Sequence, residues 1–181
     1  MYKKRDKKGQ VWIETVLYTL IGLALIGLVL AFVTPKINES KDRALVEQTI
    51  DSLSSLDDKI TEVANSQGNK RIVDFTIKRG ALYVNASGDS LTFEIDKLTK
   101  PYSEAGVPID MGRVQIITLK DQTQSRVYVT LGYSGKYDIT YTGGSETKKL
   151  TAAATSYRLA ITNKGIIGGR KQIDIEDVSG R

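Results

Sequence analysis

This 181-residue chain contains no cysteine and no histidine. The first absence excludes disulfides, thiolate metal sites and cysteine nucleophiles. The second excludes most zinc sites, Ser-His-Asp triads and the side chain that most often moves protons near neutral pH. No catalytic residue, metal or cofactor is expected, and the chain reads as a non-enzyme. Its length admits one ordinary domain with an appendage, not two full domains. The sequence shows no internal repeat and no low-complexity tract. A net charge of +5 and a pI near 9.3 would ordinarily raise nucleic acid or an acidic membrane as a partner. That inference depends on where the charge lies.

It lies at the start. Five of the 26 basic residues and one of the 21 acidic ones precede Gln10, which leaves 21 basic and 20 acidic over the rest. The excess is therefore local, and no nucleic-acid partner is expected. Residues 11–33 are apolar except for Glu14, Thr15, Tyr18 and Thr19, and residues 15–35 carry no charge. As a helix this run is roughly 30 Å long, enough to cross a bilayer. The basic flank keeps the N-terminus cytoplasmic, so everything beyond Lys36 faces outward. A buried soluble helix would rarely be so apolar on every side. A secretory signal cut near Val29-Leu30-Ala31 would carry a shorter apolar region. A plain single-span anchor stays open. Glu14 sets the segment apart, because a carboxylate near lipid is expensive and calls for a partner or a function.

Beyond Pro35 the pattern remains helical. Val46, Ile50, Leu53, Leu56, Ile60 and Val63 recur at intervals of three and four, one apolar stripe. The stripe is expected to pack on the domain that follows. Glu47, Asp51, Asp57, Asp58, Lys59 and Glu62 are expected on a solvated face. Pro35 is expected to kink the helix, and Ser66-Gln67-Gly68-Asn69 to end it, with Gly68 as its C-cap. From Lys70 the period changes to two. Runs around Phe75/Ile77, Leu82/Val84, Leu91/Phe93/Ile95, Val114/Ile116/Ile117, Val127/Val129/Leu131, Tyr137/Ile139/Tyr141, Tyr157/Leu159/Ile161 and Ile173/Ile175 predict eight or nine short strands. Turn residues separate them. Residues 98–112, which hold Pro101 and Pro108, read as a long loop. The fold class expected is α+β: a long N-terminal helix followed by an antiparallel β-sandwich-like head.

Lys7-Lys8-Gly9-Gln10, Glu14 and the apolar helix start resemble a class III signal peptide, the mark of type IV pilin-like proteins. The Gln-Val-Trp-Ile-Glu start and the lack of cysteine look more like the archaeal branch than the bacterial one. The resemblance implies cleavage by a prepilin peptidase between Gly9 and Gln10, with Lys7 and Lys8 in the recognised leader. It places Glu14 at the fifth position of the mature chain, where the family's Glu meets the N-terminal amine of a neighbouring subunit. It implies a filament whose core is bundled helices, and Gly27 and Ala31, four apart, would let helices approach closely. The implied organisation is a cytoplasmic leader at 1–9, a transmembrane and filament-core helix at 10–35, an amphipathic extension at 36–67 and an extracellular head at 70–181. Implied partners are the peptidase, like subunits through the helix, the membrane, and the cell envelope or surface ligands. A minor pilin or pseudopilin, an archaellum-associated envelope-binding component and a non-polymerising anchored binding domain remain open beside the filament subunit.

Several smaller motifs carry less. Gly165-Ile166-Ile167-Gly168-Gly169-Arg170-Lys171 lacks phosphate-loop spacing and reads as a hairpin turn. Asp57 and Asp58 are adjacent, diverge on a helix and are expected in solvent. Asp174, Glu176 and Asp177 lack an oxygen-rich calcium-loop pattern. Seven of the nine tyrosines fall beyond residue 70, where cross-strand pairing or an adhesive patch could use them. Asn38 and Asn85 begin glycosylation sequons.

Overall fold

The computed structural model describes residues 7–180, with side chains from residue 11. It divides into two compact units, Met1–Lys41 and Asp42–Arg181. One helix, α1 (Lys7–Ala64), runs through both. Ten strands follow: β1 (Lys70–Phe75), β2 (Ala81–Asn85), β3 (Ser90–Leu98), β4 (Pro108–Met111), β5 (Val114–Lys120), β6 (Ser125–Gly132), β7 (Tyr137–Tyr141), β8 (Lys148–Thr151), β9 (Tyr157–Ile167) and β10 (Arg170–Asp177). The chain is thus α+β, a long apolar helix ahead of a mostly antiparallel β head. Pro35 lies inside α1 without ending it. Proline removes the amide that would bond the Ala31 carbonyl, while the Thr34 hydroxyl donates to the Leu30 carbonyl at 2.7 Å.

In the second unit the strands form a four-stranded sheet, ordered β1-β9-β10-β7, and a six-stranded sheet, ordered β4-β5-β6-β3-β2-β8. Every neighbouring pair is antiparallel except β7 and β10. The expected antiparallel arrangement holds apart from this one pair. After β7 the chain leaves for β8 in the other sheet, and it returns through the β9–β10 hairpin, which lays β10 parallel to β7. The loop expected over residues 98–112 needs correction, because it contains β4. That strand is short and exposed along its whole length, so no alternation betrays it. Proline opens it, where an amide is dispensable. The two-residue turn Gly112-Arg113, with Gly112 at φ +65°, folds it back on β5. β8 leaves no alternation in the sequence for a similar reason: only Leu150 of its four residues is buried.

The core draws on α1 and both sheets. Val46, Leu53, Ile60 and Val63 are fully buried, Leu56 nearly so and Ile50 at 7% exposure, and they meet the inward residues of β2, β3, β5, β6, β9 and β10. Burial in β6 alternates residue by residue, as a sheet with one wet face requires. Gly80 is the one glycine that this packing demands. Its φ is +93°, and a Cβ there would sit 2.0 Å from the Glu94 carbonyl oxygen.

Polar anchors hold the helix at three levels. At its entry into the head, Asp42 accepts from Arg79 Nη2 and from the Thr99 amide, both at 2.7 Å. Burial pushes the Asp42 carboxyl up, but Thr99 and Arg79 together outweigh it and hold the group below its usual value. In the middle, Asp57 corrects the expectation of a solvated pair with Asp58. It is buried, accepts from the Tyr133 hydroxyl at 2.8 Å and pairs with Arg113 at 2.8 Å. Arg113 also donates to Thr61, one turn on. Burial, reinforced by the Asp57 charge, keeps the Tyr133 phenol protonated. At the C-terminus the carbonyls of Val63 and Ala64 accept from Asn163 Nδ2 at 3.2 and 3.3 Å, Val63 also from the Ser66 amide at 3.4 Å and Ala64 also from Lys171 at 3.0 Å. Gly68 has the expected positive φ, but its amide goes to the Asn163 carbonyl. The cap is thus partly tertiary, added to local bonds from the Asn65 and Ser66 amides.

Two predictions follow from this packing. Leu53→Ala should cost about 2–5 kcal/mol in chemical denaturation of the head, whereas Leu25→Ala, in the exposed part of α1, should leave that transition unmoved. Because the folded Asp42 carboxyl titrates below its unfolded value, its contribution is complete above about pH 4 and is lost as pH falls further. Denaturation between pH 5 and 2 (on the order of that window) should therefore show a shallower acid loss in Asp42→Asn than in the parent.

Candidate membrane span and assembly helix

Residues 11–33 of α1, apolar but for Glu14, Thr15, Tyr18 and Thr19, are exposed around the circumference. Trp12, Tyr18 and Phe32 are each 71% exposed, and even Val16 is 39% exposed. A helix apolar on every side lacks the two-faced pattern of a surface helix and suits an apolar surrounding. Among the described residues, α1 is the one helix long and apolar enough to cross a membrane. The hydroxyls of Thr15 and Thr19 are fitted to such a setting. The Thr15 hydroxyl donates to the Val11 carbonyl at 2.9 Å, and that of Thr19 to the Thr15 carbonyl at 2.7 Å. Neither hydroxyl then presents an unmet donor. Trp12 and Tyr18 lie near the start of the run, where aromatic rings settle at a membrane interface. Beyond Pro35 charge returns, with Lys36 and Glu39 paired at 3.4 Å.

The residues singled out in the sequence fall as follows. Of the leader expected at 1–9, residues 1–6 lie outside the described residues. Of Lys7, Lys8, Gly9 and Gln10 only the helical backbone is described, and it runs on unbroken into the span. Glu14 is exposed in the same stretch. Gly27 and Ala31 are both exposed one turn apart, and a Cβ on Gly27 would meet nothing within 4 Å. The surface beside Gly27 is therefore open. Asn38 is exposed on α1. Asn85, at the end of β2, is half-buried, and its Oδ1 accepts from the Gly88 amide at 3.1 Å and from Ser87 at 2.9 Å.

The phosphate-loop lookalike is a hairpin. Gly168 and Gly169 take φ +61° and +84° between Ile167 and Arg170, which face each other across the turn. Asp174 is spent inside the fold, accepting from Thr140 Oγ1 and the Gly143 amide at 2.8 Å each, with Lys164 at 3.7 Å. Among the described residues no group of three or more metal-binding side chains forms.

The periodicity did not reveal the polar cluster on the outer face of the six-stranded sheet. Glu94 accepts from Tyr83 at 2.8 Å and Tyr128 at 3.4 Å and pairs with Arg126 at 3.4 Å, while Lys149 lies 5.2 Å from the Tyr83 ring centre. The Tyr128 hydroxyl raises the Arg126 guanidinium, and the Tyr83 hydroxyl raises the Lys149 ammonium. Each of these residues sits at a solvent-facing position of the two-residue period. Only strand order could have grouped them.

Compared with models of protein families, with curated proteins and with solved structures, the chain finds no match in any of the three.

Proposed function

We propose that this chain is a type IV pilin-like structural subunit: a membrane-inserted precursor, processed by a prepilin peptidase between Gly9 and Gln10 and assembled into an extracellular filament. The observation that carries the proposal is α1 itself. One helix is apolar and exposed on all sides over residues 11–33, while its C-terminal part is buried by a single stripe in a β-rich head. Such a helix needs two surroundings in turn, lipid before assembly and the apolar flanks of its own copies after it. Supporting residues are Lys7, Lys8 and Gly9 ahead of the span, Glu14 at its start, and Gly27 and Ala31 along it.

The chemistry follows from dielectric. The leader charges hold the helix start at the cytoplasmic face. Cleavage after Gly9 creates an α-ammonium four residues before Glu14. In an apolar filament core neither charge is tolerable alone. An ammonium of one subunit against Glu14 of the next satisfies both and sets the axial stagger between neighbours. The apolar flanks then hide against each other as helices leave the bilayer.

The mature chain should begin at Gln10 when its N-terminus is sequenced; an intact Met1–Gly9 segment would overturn the pilin-like role. Glu14→Ala should insert normally yet yield no sheared filaments, and unchanged filaments would rule out the amine pairing. Leu25→Lys should raise the cost of insertion by about 2.5–3.5 kcal/mol, read as a shift of the chain from the alkali-resistant membrane fraction to the soluble one.

A further inference from the structure

The six-stranded sheet ends in two open edges, β4 and β8, and these fit each other. Its neighbours all run antiparallel, so with six strands the two edges run in opposite directions. A second copy in the same orientation would therefore bring its β4 antiparallel to the first copy's β8 and extend the alternation unbroken.

The backbone groups available at each edge also match. The two-residue turn after Met111 makes Met111 and Val114 a hydrogen-bonded pair. Ile109 then bonds inward to β5, and Asp110 and Pro108 face outward. On β8 the Ala152 amide bonds inward to Gly80, so Lys149 and Thr151 face outward by the same alternation. Set Asp110 opposite Lys149, and the two can exchange a pair of backbone bonds. Pro108 then falls opposite Thr151. Proline has no amide to give, and the Thr151 carbonyl already accepts from the Tyr157 hydroxyl at 2.7 Å. The missing donor meets the acceptor that is already served.

Side chains agree with this register. Asp110 and Lys149 lie on the outer face with opposite charges; Asp110 accepts from Gln115 Nε2 at 3.2 Å, and Lys149 lies over Tyr83. On the inner face Ile109 and Met111 overhang the core at 39% and 45% exposure. They would meet Leu150 and the aliphatic stem of Lys148. Lysines along an edge discourage indiscriminate strand pairing and favour an acidic partner edge.

We propose that the heads of successive copies join edge to edge, β4 of one adding to β8 of the next, with Asp110 opposite Lys149. The two surfaces differ, so the contact is heterologous and propagates into an open line of subunits. This names how like subunits meet in the head, and so rests on the subunit role proposed above.

The absence of native cysteine makes the test direct. In the full chain in its membrane, Asp110→Cys combined with Lys149→Cys is oxidised and run without reductant. Within one chain the two positions are roughly 24 Å apart, five strand spacings, and cannot bridge. The expected result is a ladder extending beyond dimers, with each single variant stopping at dimers and Asp110→Cys paired with Lys70→Cys, on the β1 edge, giving no ladder. Both substituted side chains are exposed, and retained head unfolding cooperativity verifies the fold. A ladder without sheared filaments keeps the edge contact and removes the filament role. Filaments without a ladder remove the edge contact and keep the filament role. No ladder in membrane or filament, or an equal ladder from the Lys70 control, overturns the proposal.

Discussion

A single helix cannot meet both of its own demands in one solvent, and the rest of the molecule follows from that. Residues 11–33 are apolar on every side, while residues 42–64 are apolar along one stripe and charged elsewhere. The first half gains only where water is absent all round; the second gains only against a partner that covers one flank and leaves the other wet. Two sheets supply that partner. Removing six aliphatic side chains from water, at about 1.5–3 kcal/mol each, makes the stripe a principal link between helix and head.

Apolar contact does not by itself decide how far along its axis a helix slides or how it turns, and the buried carboxylates supply that decision. Asp42 and Asp57 lie fifteen residues apart in sequence and are each met by an arginine from a different part of the head, Arg79 and Arg113. A buried carboxylate shifted by one turn would lose its arginine and its hydrogen bonds, leaving a charge in the core. The anchors thus act as a register, and Asn163 and Lys171 close it at the helix end by donating to the carbonyls of Val63 and Ala64. This is a division of labour: area gives strength and charge gives position.

The β head carries a related constraint in its strand count. An even number of antiparallel strands leaves edges that run in opposite directions, which suits copies stacked in one orientation. Both edge strands are short, as natural edges tend to be. Their charges and their missing or occupied backbone groups differ in complementary ways, so the sheet resists pairing with itself face for face while accepting its own opposite edge.

What the sequence determined alone is whatever depends on local period and local composition. The long apolar run and the Gly168-Gly169 turn are visible as composition, and the stripe of Val46 to Val63 and most of the strands as period, because a buried face leaves its repeat in the chain wherever it is several residues long. The basic cluster and Glu14 are likewise visible as a pattern of charge beside an apolar run, whatever their role. β4 and β8 were not legible, since an exposed four-residue strand has no buried face to leave a repeat. Nor was the burial of Asp57 beside exposed Asp58: both are acids on one helix, and only the approach of Tyr133 and Arg113, 76 and 56 residues further along, distinguishes them. The same holds for the parallel β7–β10 pair, the Glu94 cluster and the match between the two sheet edges. Each depends on which strands become neighbours, and that is decided by the path of the whole chain through two sheets.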